Sequence, residues 1–240
     1  MEINVLLALM VILSFLIAIP LHEFGHALMA SWLGDKTPRS EGRQSLSWRT
    51  HIDPLGTIMC VVMAFQPGLA VGLGWGKPVK PDPWKMRVGP NAGLLIVAVA
   101  GPIFSLLIGL VVAVLVRFLP PVLFESALAL RVPQFLIVFA SVNIGLTLLN
   151  IIPLYPLDGY QILYTLLPSR QAVQFAKSAA YGPLLILALF FLLPFLAQFS
   201  GLSSFPLFQL PTYFWLGTMN IISAASGQLP VLIENLYLLR

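Results

Sequence analysis

The sequence predicts an all-α protein that crosses a membrane several times, and composition is the first reason. Of the 240 residues, 58% are hydrophobic and only 9% are charged, and the mean hydropathy is +0.92. In soluble domains about a quarter of the residues are charged. We therefore expect most of this chain to lie in a lipid bilayer.

Long apolar stretches along the whole chain are the second reason. A helix needs roughly 20 apolar residues to cross a hydrocarbon core of about 30 Å. Stretches that approach or reach this length lie near 4–21, 55–74, 91–116, 133–152, 181–199 and 205–226. We predict about five or six membrane helices in one transmembrane domain over 1–240, with a core at about 1–165 and additional membrane helices at 181–240. The short loops between them leave no room for a soluble domain.

The first stretch lacks a basic N-terminal region and a small-residue cleavage site, so we expect a retained helix rather than a signal peptide. The only cysteine, Cys60, excludes an internal disulfide and a zinc site made of cysteines. The oligomeric state is not indicated by the sequence.

Positive charges are the third observation, and they indicate orientation. They concentrate in two loops on either side of the second apolar stretch: Lys36, Arg39, Arg43 and Arg49, then Lys77, Lys80, Lys85 and Arg87. Short loops rich in Lys and Arg usually face the cytoplasm. The net charge of +4 could suggest nucleic acid, but no basic face interleaved with aromatic residues supports it, so we expect a lipid bilayer and no nucleic acid as partner.

If both basic loops are cytoplasmic, the stretch 55–74 cannot cross the membrane once between them. We predict that it re-enters or forms a hairpin, and its Pro67, Gly68, Gly72 and Gly74 interrupt a helix as such a segment requires. The next two helices then cross outward and inward again, which brings residues 150–158 to the cytoplasmic half of the bilayer. The polar groups of the first helix lie about 12 to 18 Å deep from the same side.

Those polar groups form the motif HEFGH at 22–26. His22 and His26 are four positions apart, so both imidazoles project from one helical face, while Glu23 lies beside them. This is the H-E-x-x-H arrangement of zinc hydrolases, in which two histidines bind the metal and the glutamate acts on a water molecule. A pair of hydrogen-bonded core histidines is the alternative, but ionisable residues at membrane depth usually have a function.

A third ligand is needed if zinc keeps one position for water. Asp158 is the candidate, because the other three aspartates fall in the basic loops, whereas Asp158 follows the apolar NIIPLYPL and precedes Gly159. The alternative is that Asp158 caps the helix that begins near Tyr160.

Together, HEFGH at 22–26 and NIIPLYPLDG at 150–159 resemble the two motifs of the site-2 protease family of intramembrane zinc metalloproteases. The segments HIDPLGT at 51–57, GWGKPV at 74–79 and VAVAGPIFSLL at 97–107 are similar to compact prokaryotic members without a PDZ or CBS domain. The resemblance covers roughly residues 15 to 165. It implies one Zn²⁺ per chain bound by His22, His26 and Asp158, with Glu23 as the catalytic acid/base and Asn150 as a polar group near the site.

One departure from the family lies after AGP, where many members have an asparagine two residues on and this chain has Phe104-Ser105, so we expect an altered polar contact there. His51 could act as a gate or support the site, or it could be a solvated loop residue. Asn143 lies on nearly the same helical face as Asn150 and could orient a ligand or substrate, or simply bond between helices.

The function predicted from these residues is hydrolysis of peptide bonds within or next to transmembrane segments of membrane proteins, in a multi-pass protein of the cell membrane with its active site toward the cytoplasmic half. We also predict that the 35–54 loop forms a small β-hairpin around Ser47 that pairs with an unwound substrate. The alternatives are a non-catalytic metal-binding membrane protein or transporter, and a di-iron lipid enzyme, for which three histidines are too few.

Overall fold

Helices make up the fold, which we describe from a computed structural model for residues 3–66, 72–201 and 205–239. In this part of the chain there are twelve α-helices and no β-strand. The helices are α1 Val5–Leu33, α2 Thr37–Ser40, α3 Trp48–His51, α4 Pro54–Ala64, α5 Pro90–Val116, α6 Arg131–Asn150, α7 Asp158–Leu166, α8 Ser169–Ala176, α9 Gly182–Leu187, α10 Leu193–Ser200, α11 Leu210–Ser226 and α12 Pro230–Tyr237.

About five or six membrane helices were predicted, and the described residues contain four or five. Four helical stretches are long and apolar enough to cross a bilayer: Val5–Leu33, Pro90–Val116, Arg131–Asn150 and Ser169–Ala197. A fifth exists if Pro206–Ser226 and Pro230–Tyr237, which meet at 118°, count as one span. The prediction of an all-α polytopic membrane protein is confirmed.

α1, α5 and α6 pack against one another and form the centre of the molecule. Small residues permit the close approach, as is usual between membrane helices. At Gly109 of α5, a side chain would press on Ile144 and on the carbonyl of Ala140 in α6. The buried core of these helices continues through α11 to Tyr237 of α12. Gln134 of α6 holds that end of the chain by donating hydrogen bonds to the carbonyls of Tyr237 and Leu239.

The stretch between the two basic loops is a hairpin, as predicted. α4 has only 11 residues, about 16 Å of helix, which is too short to cross. The chain returns beside the start of α4, because Gly74 packs on Gly56 and Ile52 pairs with Gly76 in an antiparallel bridge. Pro67 and Gly68 lie outside the described residues.

Both basic loops lie at the same end of the molecule. α1 ends at Gly34, which adopts φ 114°, and the carbonyl of Leu33 accepts a hydrogen bond from the N–H of Arg87 at 2.9 Å. The buried carboxylate of Asp35 likewise accepts from the N–H of Asp82 at 2.7 Å. The two loops therefore face the same side, as their shared charge predicts.

The β-hairpin predicted for 35–54 is wrong. This loop consists of α2, a series of turns and α3. Pro38 sits in the first turn of α2, where its fixed φ favours a helix, and its carbonyl accepts from the N–H of Arg43 at 2.8 Å. The backbone groups that a hairpin would need are thus used locally, and only Ile52 pairs with an extended segment. The expected role of Ser47 in strand pairing loses its basis.

Candidate metal centre

Three predicted ligands come together from two separate parts of the chain. His22 and His26 lie one turn apart on α1, and Asp158 is the first residue of α7. The Nε2 atom of His22 is 3.0 Å from Asp158 Oδ2, and that of His26 is 3.1 Å from Asp158 Oδ1. The two Nε2 atoms are 3.2 Å apart. The predicted meeting of the two motifs therefore occurs.

The spacing of these donor atoms fits a zinc ion. Zinc bonds to histidine nitrogen and carboxylate oxygen are about 2.0 to 2.2 Å long, so ligand atoms around a tetrahedral ion lie roughly 3.3 Å apart. The observed separations of 3.0 to 3.2 Å need to widen only slightly. Two imidazoles and one carboxylate also leave a fourth position free, as in catalytic zinc sites.

The other nitrogen of each imidazole fixes the ring in place. His26 Nδ1 lies 2.7 Å from the carbonyl oxygen of Val97. Because a carbonyl can only accept, Nδ1 carries the proton, and Nε2 of the neutral ring keeps its lone pair for a metal. His22 Nδ1 bonds the hydroxyl of Ser105 at 2.9 Å. α5 therefore supports both histidines of α1.

Ser105 also makes the polar contact that was expected to be altered after the AGP segment. The chain has Phe104-Ser105 after AGP, and the structure shows that Ser105 makes the polar contact to His22 while Phe104 packs on Gly25. The glycine of AGP has an equally direct role. A side chain at Gly101 would overlap the imidazole of His26, so only glycine lets α5 approach this ligand.

Asn150 supports the third ligand. Its Oδ1 accepts a hydrogen bond from the backbone N–H of Asp158 at 3.3 Å, and its Nδ2 donates to the carbonyl of Leu146 at 2.9 Å. At Gly159 a side chain would strike the carbonyls of Ile151 and Ile152. The NIIPLYPLDG motif thus makes a tight turn that places Asp158 opposite α1. The structure brings Asn150 to the site as expected.

Glu23 is buried beside the ligands without joining them. Its Oε2 accepts a hydrogen bond from the N–H of Val79 at 3.2 Å, in the extended segment that follows the hairpin. A cavity of about 120 Å³ is lined by Glu23, His26 and Asp158, with Val79 and Tyr155 at its walls. Since about 10 to 15 Å³ of such space is enough for one water molecule, the cavity can hold several water molecules.

Comparison with known proteins identifies the family of the chain. The sequence profile described as Peptidase family M50 matches residues 10–134 and 120–195, which include every ligand candidate and Glu23. The chain belongs to peptidase family M50. This is the site-2 protease family, so the predicted family and the prediction of an intramembrane metalloprotease are confirmed.

Two relatives of this M50 peptidase carry corresponding names. "Putative zinc metalloprotease YwhC" of Bacillus subtilis (strain 168) is 30% identical over 181 residues, which are 75% of this chain and 78% of the relative. "Putative zinc metalloprotease Rip2" of Mycobacterium tuberculosis (strain ATCC 25618 / H37Rv) is 29% identical over 182 residues, 75% of this chain and 66% of the relative. No solved structure shows significant similarity to the chain.

Two of the predicted polar residues lie apart from the ligand group of this M50 peptidase. Asn143 donates a hydrogen bond to the carbonyl of Phe139 in its own helix at 2.9 Å and packs against Gly109. His51 is fully buried, so it is not the solvated loop residue of the alternative interpretation. Its Nε2 donates to the carbonyl of Ser45 at 2.6 Å. Burial holds the pKa of His51 below its usual value, and the charge of Arg43 adds to the lowering, whereas the bond to Ser45 opposes it.

Sequence reasoning missed the backbone groups that support the M50 centre. The carbonyl of Val97 and the N–H of Val79 hold His26 and Glu23, but backbone groups are common to every residue and leave no mark in one sequence. Val97 lies in the segment VAVAGP and Val79 in the segment GWGKPV, and the similarity of these segments to family members is the one sequence feature that indicates them. The burial of Arg43 was not predicted either, because in the sequence it is only one of four cations in the first basic loop.

Proposed function

We propose that His22, His26 and Asp158 bind one zinc ion and that Glu23 is the acid/base of peptide-bond hydrolysis. The observation that carries the proposal is the convergence of three ligand atoms within 4.8 Å of one another, beside a buried carboxylate that takes no part in the cluster. The names of the two relatives support zinc as the metal.

When bound, zinc polarises a peptide carbonyl and lowers the pKa of a water molecule. Residues of the chain transfer the proton and orient the ligands. Glu23, held by the N–H of Val79, takes a proton from water in the cavity and passes it to the nitrogen of the leaving amine. Val97 and Ser105 hold the imidazoles in the orientation that presents Nε2, and Asn150 holds the turn that presents Asp158.

The substrate we propose is a membrane protein cleaved within or next to a transmembrane segment. The site supports this because its two histidines lie on a membrane-spanning helix, about 12 to 18 Å before the end of that helix at Gly34. A helical substrate has its amides bonded internally, so it must unwind locally before one peptide unit can enter the cavity. Substrates with helix-weakening residues near the cleaved bond are therefore favoured.

We further propose that the centre opens toward the cytoplasmic half of the membrane. α1 ends in the first basic loop, the second basic loop is hydrogen-bonded to it through Arg87 and Asp82, and positively charged loops face the cytoplasm. The whole chain, 1–240, would act as one transmembrane domain. The buried core that runs from Leu7 to Tyr237 supports this organisation.

The decisive experiment is cleavage of a panel of single-span membrane proteins by purified, zinc-loaded protein. Glu23→Gln is the test variant, and Glu41→Gln, which alters an exposed glutamate of the first basic loop, is the matched control. We expect Glu23→Gln to retain zinc and lose cleavage while Glu41→Gln keeps both. Equal cleavage by Glu23→Gln and the unaltered protein would refute the role of Glu23 and point to a contaminating protease.

A second experiment tests the ligands separately from turnover. Zinc content is measured for His22→Ala, His26→Ala and Asp158→Ala after dialysis against a weak chelator. We expect each variant to lose zinc, because two remaining ligands bind it poorly. Full zinc content in all three would place the metal elsewhere.

A further inference from the structure

A buried arginine lies in the first basic loop. Arg43 is only 6% exposed, and its Nη1 donates hydrogen bonds to the carbonyls of Thr50 at 2.8 Å and Lys77 at 3.2 Å. Within the described ranges, it forms no salt bridge. Burying a guanidinium group is unfavourable unless its surroundings compensate. A residue that only keeps the loop soluble would point into water, as Arg39 does in the same loop.

Arg43 is connected to Glu23 through a short extended segment. Lys77 accepts from Arg43 through its carbonyl and donates to the carbonyl of His51 through its N–H at 2.7 Å. Two residues further on, the N–H of Val79 donates to Glu23 Oε2. The proline between these two residues has a fixed φ and keeps the residue before it in an extended conformation. Fixing Lys77 from both of its backbone groups therefore also fixes the direction of the Val79 N–H.

The space around Glu23 leaves this segment little freedom. At Gly76, a side chain would come within 2.8 Å of Glu23 Oε1 and within 3.1 Å of the His51 carbonyl. The segment thus lies directly between the carboxylate and the loop that Arg43 closes. Arg43 itself does not line the cavity.

We propose that Arg43 is a positioning residue for hydrolysis: it ties Thr50 to Lys77 and thereby holds the Val79 N–H on the carboxylate of Glu23. The proposal rests on the acid/base role proposed above for Glu23. The metal ligands have separate supports in Val97, Ser105 and Asn150. Loss of Arg43 therefore slows proton transfer and leaves zinc binding intact.

The test measures kcat, KM and zinc content with the purified full chain and one cleaved membrane substrate. For Arg43→Gln we expect kcat to fall roughly 10- to 100-fold, as is typical when a supporting hydrogen bond is lost, with full zinc content and an unchanged KM. Arg43→Lys keeps the charge on a shorter side chain without the planar guanidinium group, so it should recover part of kcat. Arg39→Gln is the matched control and should behave like the unaltered protein.

A double-variant cycle tests the route from Arg43 to Glu23. Val79→Pro removes the N–H that Glu23 accepts, while its φ suits an extended chain. If Arg43 acts through this bond, Arg43→Gln adds little to the loss already caused by Val79→Pro. Multiplied losses in the double variant would overturn the proposal, because the two residues would then act independently.

Other results of these measurements would also refute the role of Arg43. An unchanged kcat in Arg43→Gln would overturn the inference, and so would loss of zinc or of the folded protein in both Arg43 variants, since Arg43 would then support the fold rather than Glu23. Glu23→Gln is measured beside them. Cleavage retained in Glu23→Gln refutes the proposed function itself, whereas an inactive Glu23→Gln with a fully active Arg43→Gln refutes only the role of Arg43.

Discussion

Gly101 offers a sharp test of the metal centre, because a single methyl group there would displace a ligand. A Cβ atom at Gly101 would overlap three ring atoms of His26, including Nε2. His26 cannot turn aside without breaking its 2.7 Å bond to Val97. Overpacking of this kind costs about 1 to 3 kcal/mol. If the strain is released by moving His26 out of the cluster, that energy appears as weaker zinc binding, about 5- to 150-fold.

The assay is zinc affinity of Gly101→Ala by competition with a chelator, together with the thermal unfolding midpoint in the presence and absence of zinc. Gly109→Ala is the matched control on the same helix, because its methyl group would press on Ile144 and on the carbonyl of Ala140 in α6 but on no ligand. We expect Gly109→Ala to lower the midpoint and keep the zinc affinity. Unchanged zinc affinity in Gly101→Ala, or an equal loss in both variants, would refute the geometry described for His26.

Three further predictions concern Ser105, Asn150 and His51. Ser105→Ala removes the hydrogen-bond partner of His22 Nδ1. We expect the zinc affinity, measured by the same chelator competition, to fall about tenfold. An unchanged affinity would show that the imidazole of His22 needs no such partner. Asn150→Ala leaves the Asp158 N–H unpaired, which should destabilise the protein by about 1 to 3 kcal/mol; thermal unfolding checks this, and a smaller effect than that of Asn143→Ala would contradict it. His51 is held neutral, since burial and the charge of Arg43 lower its pKa. Because the pKa of His51 is lowered in the folded state, neutral His51 contributes fully to the free energy of unfolding above the unfolded-state pKa of about 6.5. This contribution is lost as the pH falls through the folded-state pKa. Unfolding midpoints measured from pH 8 to 5 should therefore fall less steeply in His51→Gln than in the unaltered protein, and parallel curves would count against this account.

The ligand set could be predicted because helical geometry alone relates HEFGH to the metal. Two histidines four residues apart must share a face, and Asp158 was the only aspartate within apolar sequence. The hairpin at 55–74 could also be predicted, because basic loops on either side cannot lie across the membrane from each other. Each of these inferences depends on a local pattern or on a rule about the bilayer.

The loop at 35–54 could not be predicted in the same way. Its alternating residues around Ser47 suit a strand, but the chain satisfies its backbone groups through turns that begin at Pro38 and through the side chain of Arg43. That arrangement depends on partners such as Lys77 that lie far along the sequence. The burial of His51 has the same origin, since the Gly74–Gly76 segment closes over it only in the folded protein.

The metal ligands and Glu23 are held by different parts of the protein, so substitutions in these two parts should have different effects. Helices α5 and α6 hold the ligands through Val97, Ser105 and Asn150, whereas an extended loop segment holds Glu23 through Val79. Packed membrane helices are rigid, while loop segments open at a lower free energy. Changes in α5 and α6 should therefore alter zinc affinity first, and changes in the two basic loops should alter turnover at constant zinc content. A loop variant that loses zinc while keeping its catalytic rate per bound zinc would contradict this division.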